Sequence, residues 1–348
     1  MRRLWITQLL CSRVGPGALN FQITKKLMLR KLFAVVAAAG VLAAACAAPA
    51  APSVGGVLRV VATHSILGDL VKNVGGDKIA LVVLVGAGGD AHTFEPTPQD
   101  VAQIAAAGLL FENGLQFEGW LDAAYAASGS AALRVPVSAG IEPLMAAEEH
   151  EAGADASHAT EAAGADQHHG EPDPHIWQSV SNWIMAAKNV RSALATADPA
   201  NAEVFSANAE AYIAELQKLD VEIFAQANAL PAERRVLFTS HDALGYFAAR
   251  YGFKVAGAAL ASFTTEASDP SAAQLAELVQ AIKAAGVPAV FTENMHSQQV
   301  MDQIAREAGI SFARELYTDA LGEPGSAGET YLKMMRSNST VIAAALGR

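Results

Sequence analysis

Four residues spread along the chain have side chains suited to binding a metal ion. His92 lies in a glycine-rich loop after one apolar segment, while His241 and Asp319 follow two others. Ligands of open parallel α/β sheets bind beyond the carboxyl ends of the strands, so these three residues are candidate ligands. His175 is the fourth candidate, because two prolines restrict the backbone just before it.

A metal ion bound by the mature chain must be held by histidine and carboxylate side chains. The chain has two cysteines, Cys11 and Cys46, and both lie within an N-terminal segment that is predicted to be an export signal. The mature chain is therefore expected to offer no thiolate ligand. A single histidine near a helix start is more often a capping or solvated side chain. Because spacing alone does not show convergence, the four-residue metal site is a hypothesis.

Several other polar residues follow predicted strands and are weaker candidates. Glu95, three residues after His92, is a candidate for binding the metal or a ligand imidazole, although a solvated surface position fits equally well. His64 ends the first predicted strand and is a candidate either for supporting a ligand or for lining the cleft wall. Glu293 and His296 also follow a strand and are candidates for lining the cleft.

An acidic segment over residues 148–173 interrupts the alternation of apolar elements. Its sequence, EEHEAGADASHATEAAGADQHHGEPD, has almost no large apolar residue and predicts a loop rather than a core element. Imidazoles and carboxylates in such a loop can bind zinc weakly and raise its local concentration. The alternative is a solvated segment without a role. The candidate auxiliary ligands are His150, His158, His168 and His169.

The apolar pattern predicts two α/β lobes. Short β-branched runs alternate with amphipathic stretches, which indicates βα units and parallel sheets. We expect an N-terminal lobe over residues 54–198 and a C-terminal lobe over 231–348. Between them, residues 199–230 predict one long, rigid linker helix. The predicted fold class is α/β, with the metal site in the cleft between the two lobes.

Composition and the N-terminus bear on location and partners. The formal net charge of −11 makes a nucleic acid partner improbable. A basic pair, Arg30 and Lys31, precedes a short apolar run and small residues, which predicts a signal segment over residues 1–46. Met28 would begin a well-proportioned signal, and Cys46 is a candidate for a lipid anchor. The alternative to a lipid anchor is a free periplasmic protein.

Five motifs occur in an order that resembles the zinc- and manganese-specific solute-binding proteins of ABC importers. The resemblance runs from about Val60 to the C-terminus, nearly the whole mature chain. Each motif alone is weak, but the ordered set is specific. The motifs are VVATHSILGDLVKNVGGDKI, DAHTFEPTPQD, PDPHIW, TSHDALGYFAARYG, and YTDALG followed by YLKMMRSN.

The resemblance implies a periplasmic protein that binds Zn²⁺ through His92, His175, His241 and Asp319. Family members described as manganese binders usually carry glutamate at the third position, whereas this chain has His241. Three imidazoles and one carboxylate also suit tetrahedral zinc better than manganese. The implied partner is a membrane permease, and a periplasmic zinc metallochaperone is a further candidate. We expect a monomer.

Three alternatives to zinc import stay open at this point. The first is a manganese-delivering member of the same family. The second is a secreted zinc hydrolase, which would need an open metal position for water and a neighbouring general base. The chain has no HExxH motif or nucleophile elbow, so a non-enzyme is expected. The third is a metal-dependent adhesin, for which the sequence has no specific signature.

Overall fold

The computed structural model describes residues 53–54, 57–145, 170–258, 272–294 and 298–347. The described residues form one compact unit. The predicted signal segment, with Met28 and Cys46, lies outside them, as do His296 and the four histidines of the acidic loop. Predictions about those residues therefore stay predictions.

A five-stranded sheet forms the centre of the N-terminal lobe. Its strands are β1 (Ser53–Val54), β2 (Val57–His64), β3 (Ile79–Val85), β4 (Leu109–Glu112) and β5 (Leu133–Pro136). Strand β2 pairs in parallel with both β3 and β4, and β4 pairs in parallel with β5. The two-residue β1 pairs antiparallel with the start of β2. The carboxyl ends of β2 and β3 therefore lie side by side, which places His64 next to the loop that leads to His92.

The helices of this lobe are α1 (Ser65–Gly75), α2 (Pro98–Ala105), α3 (Leu121–Ser128) and α4 (Val180–Ala197). Helix α2 has a well-formed N-terminal cap. Thr97 and Asp100 form a reciprocal capping box, and Pro98 occupies the first turn. This cap fixes the chain five residues after His92, and so limits the conformations of the loop that carries it.

A long helix, α5 (Ala202–Asn228), connects the two lobes. At 1.5 Å per residue its 27 residues span about 40 Å. Its buried stripe includes Tyr212, Leu216 and Leu219, which repeat at the spacing of one helical face. Near the start of the helix, Val204 is exposed and Phe205 is buried.

The C-terminal lobe contains two pairs of parallel strands. The strands are β6 (Val236–Thr239), β7 (Lys254–Ala258), β8 (Ala289–Glu293) and β9 (Ser311–Leu316). The helices are α6 (Gly245–Tyr251), α7 (Ala272–Ala285), α8 (Gln298–Ala308) and α9 (Tyr331–Leu346). Strand β6 pairs with β7 and β8 with β9, and β6 lies beside β8. The residues that follow β6 and β9 consequently end at the same side of the lobe.

The predicted fold class is confirmed: parallel-sheet α/β lobes are connected by one long helix. A cluster of buried apolar side chains extends through both lobes and α5, with Val60, Trp183, Leu219 and Met334 among its members. This shared core holds the carboxyl ends of the strands of both lobes near one another. Within the described residues, no helix combines the length and the hydropathy needed to cross a membrane.

Candidate metal centre

The structure brings together the four residues that the sequence singled out. His92, His175, His241 and Asp319 are all buried, and each offers a ligand atom within 4.8 Å of those of the others. Asp319 lies at the middle of the group. Its carboxylate oxygens are 3.4 Å from Nε2 of His92, 3.5 Å from Nε2 of His175 and 3.0 Å from Nε2 of His241. Three imidazole nitrogens and one carboxylate thus converge on one point, at the boundary of the two lobes.

The loop after β3 positions His92. The backbone N–H of His92 donates to Oδ1 of Asp90 at 2.8 Å, which tightens the end of this loop. The loop is also fastened to the segment that carries Asp319, since the N–H of Gly88 donates to the carbonyl of Leu321 at 2.9 Å. In addition, the N–H of Leu321 donates to Oγ of Ser65 at 3.0 Å. A hydrogen bond between backbone groups therefore connects the segment that carries His92 to the segment that carries Asp319.

Asp173 orients the imidazole of His175. Its Oδ1 lies 2.8 Å from Nδ1 of His175 and accepts the backbone N–H of the same residue at 2.9 Å. A carboxylate only accepts hydrogen bonds, so the proton of the neutral ring belongs on Nδ1, and the lone pair of Nε2 faces the point where the four side chains converge. Tyr246, from the other lobe, donates its hydroxyl to the carbonyl of Asp173 at 3.0 Å. The tautomer of His175 is thus set for metal binding.

Glu293, at the end of β8, has the same role for His241. Its Oε2 contacts Nδ1 of His241, and its Oε1 accepts the backbone N–H of His241 at 2.9 Å. The hydroxyl of Thr318 donates to Oε2 at 2.9 Å and holds the carboxylate in place. Because the carboxylate of Glu293 contacts Nδ1 of His241, Nε2 of the same ring is directed toward Asp319.

Thr318 also connects Asp319 to the N-terminal lobe. Its carbonyl accepts hydrogen bonds from Nε1 of Trp177 at 2.7 Å and from Nε2 of Gln178 at 3.1 Å. These donors lie directly after His175, in a turn of 3₁₀ helix over Ile176–Gln178. The side chains of His175 and Asp319 are consequently held in register across the boundary between the lobes.

The ionisable groups of the centre shift one another's pKa values. Burial by itself lowers the pKa of His241, but the carboxylates of Glu293 and Asp319 outweigh it and raise this pKa well above the ordinary value. Burial favours the neutral form of Asp319, yet His241 and His175 hold the pKa of Asp319 well below its ordinary value. The metal-free centre therefore holds a proton that a metal cation would displace.

Two further candidates do not contribute a ligand atom to this group. Glu95 is exposed and does not belong to the group of converging side chains. His64 is buried and packs against Phe117 and Trp177, with ring centroids 5.1 and 5.5 Å apart. Its ring nitrogens form no hydrogen bond with any described residue. His64 is thus part of the wall behind the centre.

Sequence reasoning missed the two carboxylates that orient the imidazoles. Asp173 was assigned to the acidic loop, although its position two residues before His175 was a local signal for this contact. Glu293 was considered only as a cleft-lining residue. It was not paired with His241 because the two are 52 positions apart and come from different strands.

The buried imidazole of His64 gives a testable consequence for acid stability. Burial lowers the pKa of His64 to about 3, below the value of about 6.5 expected in the unfolded chain. As pH falls, the imidazole of His64 is therefore protonated in the unfolded chain before it is protonated in the folded protein. The free energy of unfolding decreases by up to about 1.4 kcal/mol per pH unit between about pH 6.5 and about pH 3. We expect metal-free His64→Leu to lose less stability on acidification than the metal-free wild type.

Urea unfolding of both proteins at pH 7, 5.5 and 4.5 measures this difference. The free energy of unfolding of His64→Leu, relative to that of the wild type, should increase by up to about 1.4 kcal/mol for each unit by which the pH falls. Parallel stability curves would show that His64 is not buried as a neutral ring.

A family model described as zinc-uptake complex component A, periplasmic (ZnuA), matches residues 60–345. The chain belongs to the ZnuA family. The matched range begins in β2 and ends in α9, so it includes both lobes, the connecting helix and all four converging residues. The resemblance inferred from the five sequence motifs is thereby confirmed.

Individual relatives of this ZnuA-family chain have names that refer to different metals. The manganese ABC transporter substrate-binding lipoprotein PsaA of Streptococcus mitis is 32% identical over 297 residues, which cover 84% of this chain and 90% of that protein. The periplasmic zinc-binding protein TroA of Treponema pallidum is 31% identical, with a TM-score of 0.73 over 84% of this chain and 100% of that one. A manganese-bound periplasmic metal-binding protein of Candidatus Liberibacter asiaticus is 26% identical, with a TM-score of 0.71 over 83% and 99%.

Proposed function

We propose that this chain captures Zn²⁺ outside the cytoplasm and delivers it to the membrane permease of an ABC importer. Membership of the ZnuA family supports a role as the metal-binding component of an uptake complex. The observation that carries the proposal is the buried convergence of His92, His175, His241 and Asp319 on one point. These four residues are the proposed metal ligands.

The donor set supports zinc over manganese. Three imidazole nitrogens and one carboxylate match the tetrahedral sites that Zn²⁺ prefers, whereas Mn²⁺ favours oxygen-rich sites of higher coordination number. Asp173 and Glu293 support coordination by imidazole nitrogens, because each holds a histidine in the tautomer that presents Nε2. The manganese named for the Streptococcus mitis relative makes manganese delivery the alternative within the same family.

Capture and release follow from the origin of the ligands. His92 and His175 come from the N-terminal lobe, while His241 and Asp319 come from the C-terminal lobe. The carboxylate of Asp319 offsets one charge of the incoming cation, and the metal displaces the proton held near His241. Release requires the two pairs of ligands to move apart. The long helix α5 should restrict large hinge motion, so we expect local movement of loops and lobes.

Delivery implies partners and a location. The proposed partner is a permease coupled to a cytoplasmic ATPase, and the proposed location is the periplasm, after export by the N-terminal segment or with a lipid anchor at Cys46. The loop histidines His150, His158, His168 and His169 are proposed to gather zinc weakly ahead of the main site. A periplasmic metallochaperone is a further proposed partner. Four protein ligands leave no open metal position for water, which argues against the hydrolase alternative.

Zinc accumulation in the cells that make this protein tests the import role. We expect deletion of the chain to reduce zinc uptake at limiting zinc, and the wild-type chain to restore it. The Asp319→Asn variant should not restore uptake, because it lacks the charged ligand. Restoration of manganese uptake but not zinc uptake by the wild-type chain would favour the manganese alternative.

A further inference from the structure

The turn between β4 and α3, residues 113–118, has a backbone that few sequences adopt readily. Gly114, Leu115 and Gln116 are consecutive and all have positive φ, at 82°, 55° and 62°. This region is unfavourable for residues with a Cβ atom, so two non-glycine residues there require support from their surroundings. Strain of this kind is often found beside functional sites.

Glu118 holds the turn from inside. It is buried, and one carboxylate oxygen accepts the hydroxyl of Thr63 and the backbone N–H of Asn113, both at 2.7 Å. The other oxygen accepts the N–H of Gly114 at 3.3 Å. Burial raises the pKa of Glu118 to about 7, against the opposing effect of these hydrogen bonds, and the nearby Glu112 raises it further. Burial of an ionised carboxylate costs folding free energy, and the hydrogen bonds from Thr63, Asn113 and Gly114 offset part of that cost.

Asn113 connects the turn to the metal centre. Its side chain is fully buried, and Nδ2 donates to the carbonyl of Pro174 at 2.9 Å as well as to that of Gly114 at 3.0 Å. Pro174 lies between Asp173, which orients the imidazole, and His175, which carries it. The hydrogen bond from Asn113 therefore fixes the backbone at the point where a small rotation would displace Nε2 of His175.

We propose that Asn113 and Glu118 are positioning residues of the metal centre, which act through the Pro174 carbonyl to place His175. Glu118 shapes the turn, and the turn presents Nδ2 of Asn113 to the segment that precedes the ligand. This inference rests on the proposed function, because it assumes that His175 binds metal.

The test compares Asn113 with Asn189, a second asparagine of the N-terminal lobe whose side chain donates hydrogen bonds to two backbone carbonyls. Asn189 also donates through Nδ2 to two backbone carbonyls, those of Val137 and Ala139, both at 2.9 Å, but it has no contact with the ligands among the described residues. Both Asn113→Ala and Asn189→Ala should therefore destabilise the protein, the former more, because Asn113 is fully buried and Asn189 is only half-buried. Only the former should alter the metal site.

The measurements are the zinc affinity, by competition with a chromophoric chelator, and the visible absorption of Co²⁺ bound in place of zinc. We expect Asn113→Ala to weaken zinc binding about 10- to 100-fold and to change the Co²⁺ spectrum, which reports ligand geometry. Asn189→Ala should keep the zinc affinity within about threefold, with the wild-type spectrum, whatever its melting temperature. Equal zinc affinities and spectra for the two variants would overturn the proposal.

Glu118→Gln provides a second variant if Asn113→Ala does not fold. Glutamine keeps the shape and one oxygen acceptor but replaces the acceptor for Gly114 with a donor. We expect a smaller loss of zinc affinity, about 3- to 10-fold, with a shifted Co²⁺ spectrum, and wild-type values would overturn the proposal. Absence of a tight zinc site in the wild-type protein would instead overturn the proposed function, and this inference with it.

Discussion

Asp319→Asn is expected to lower the zinc affinity by more than about 100-fold, beyond the 10- to 100-fold that loss of a ligand's supporting partner usually costs. Asp319 supplies the only carboxylate among the four proposed ligands and lies within 3.5 Å of a nitrogen of each of the three histidines. Asparagine keeps the shape of the side chain, so the fold should be retained. Zinc should therefore raise the melting temperature of the wild type but not that of Asp319→Asn.

Glu95→Gln is the matched control for this experiment. Glu95 is a carboxylate near His92 in the sequence, but it is exposed and lies outside the converging group. Glu95→Gln should bind zinc within about threefold of the wild type, since a single exposed charge has a small effect. A similar zinc affinity for Asp319→Asn and the wild type would exclude Asp319 as a ligand.

His241→Glu is expected to lower zinc affinity by more than about 100-fold without creating a good manganese site. A carboxylate at position 241 would lie against those of Glu293 and Asp319, which now contact the imidazole of His241. Two like charges at about 4 Å repel by about 4 kcal/mol at an effective dielectric constant of 20. The surroundings of position 241 in this chain therefore suit histidine, and not the glutamate typical of manganese binders.

The double variant His241→Glu with Glu293→Gln tests that explanation. Removal of the charge at Glu293 should relieve the repulsion and allow an oxygen ligand at position 241. We expect the ratio of zinc to manganese affinity to fall at least about tenfold relative to the wild type. Isothermal titration with each metal measures both affinities. Unchanged zinc binding by the single variant would show that His241 is not a ligand.

The strands and the four converging residues could be predicted because their signals are local. The sequence predicts strands at Ile79–Val85, Val236–Thr239 and Ser311–Leu316, and the structure has the same bounds. Short apolar, β-branched runs bounded by turn residues specify such strands with little help from the rest of the fold. Since parallel strands end at one edge of a sheet, polar residues just after them were candidate ligands, although their spacing alone did not show that they converge.

The residues that position the ligands could not be predicted, because their contacts are long-range. Glu293 reaches His241 across 52 positions, and Asn113 reaches the carbonyl of Pro174 across 61. Neither pair lies in one element, so no periodicity connects them. The positive φ angles at Leu115 and Gln116 are also imposed by tertiary contacts, which override local preference.

Competition between zinc and manganese for the wild-type protein tests the central claim most directly. The mature, metal-free chain is dialysed against both ions at equal free concentration near neutral pH, and the bound metal is measured by atomic emission. We expect one tightly bound zinc ion per chain, in an environment of three nitrogens and one oxygen by X-ray absorption. Preferential retention of manganese, or an oxygen-rich site, would contradict the zinc assignment and leave a metal-binding protein of another specificity.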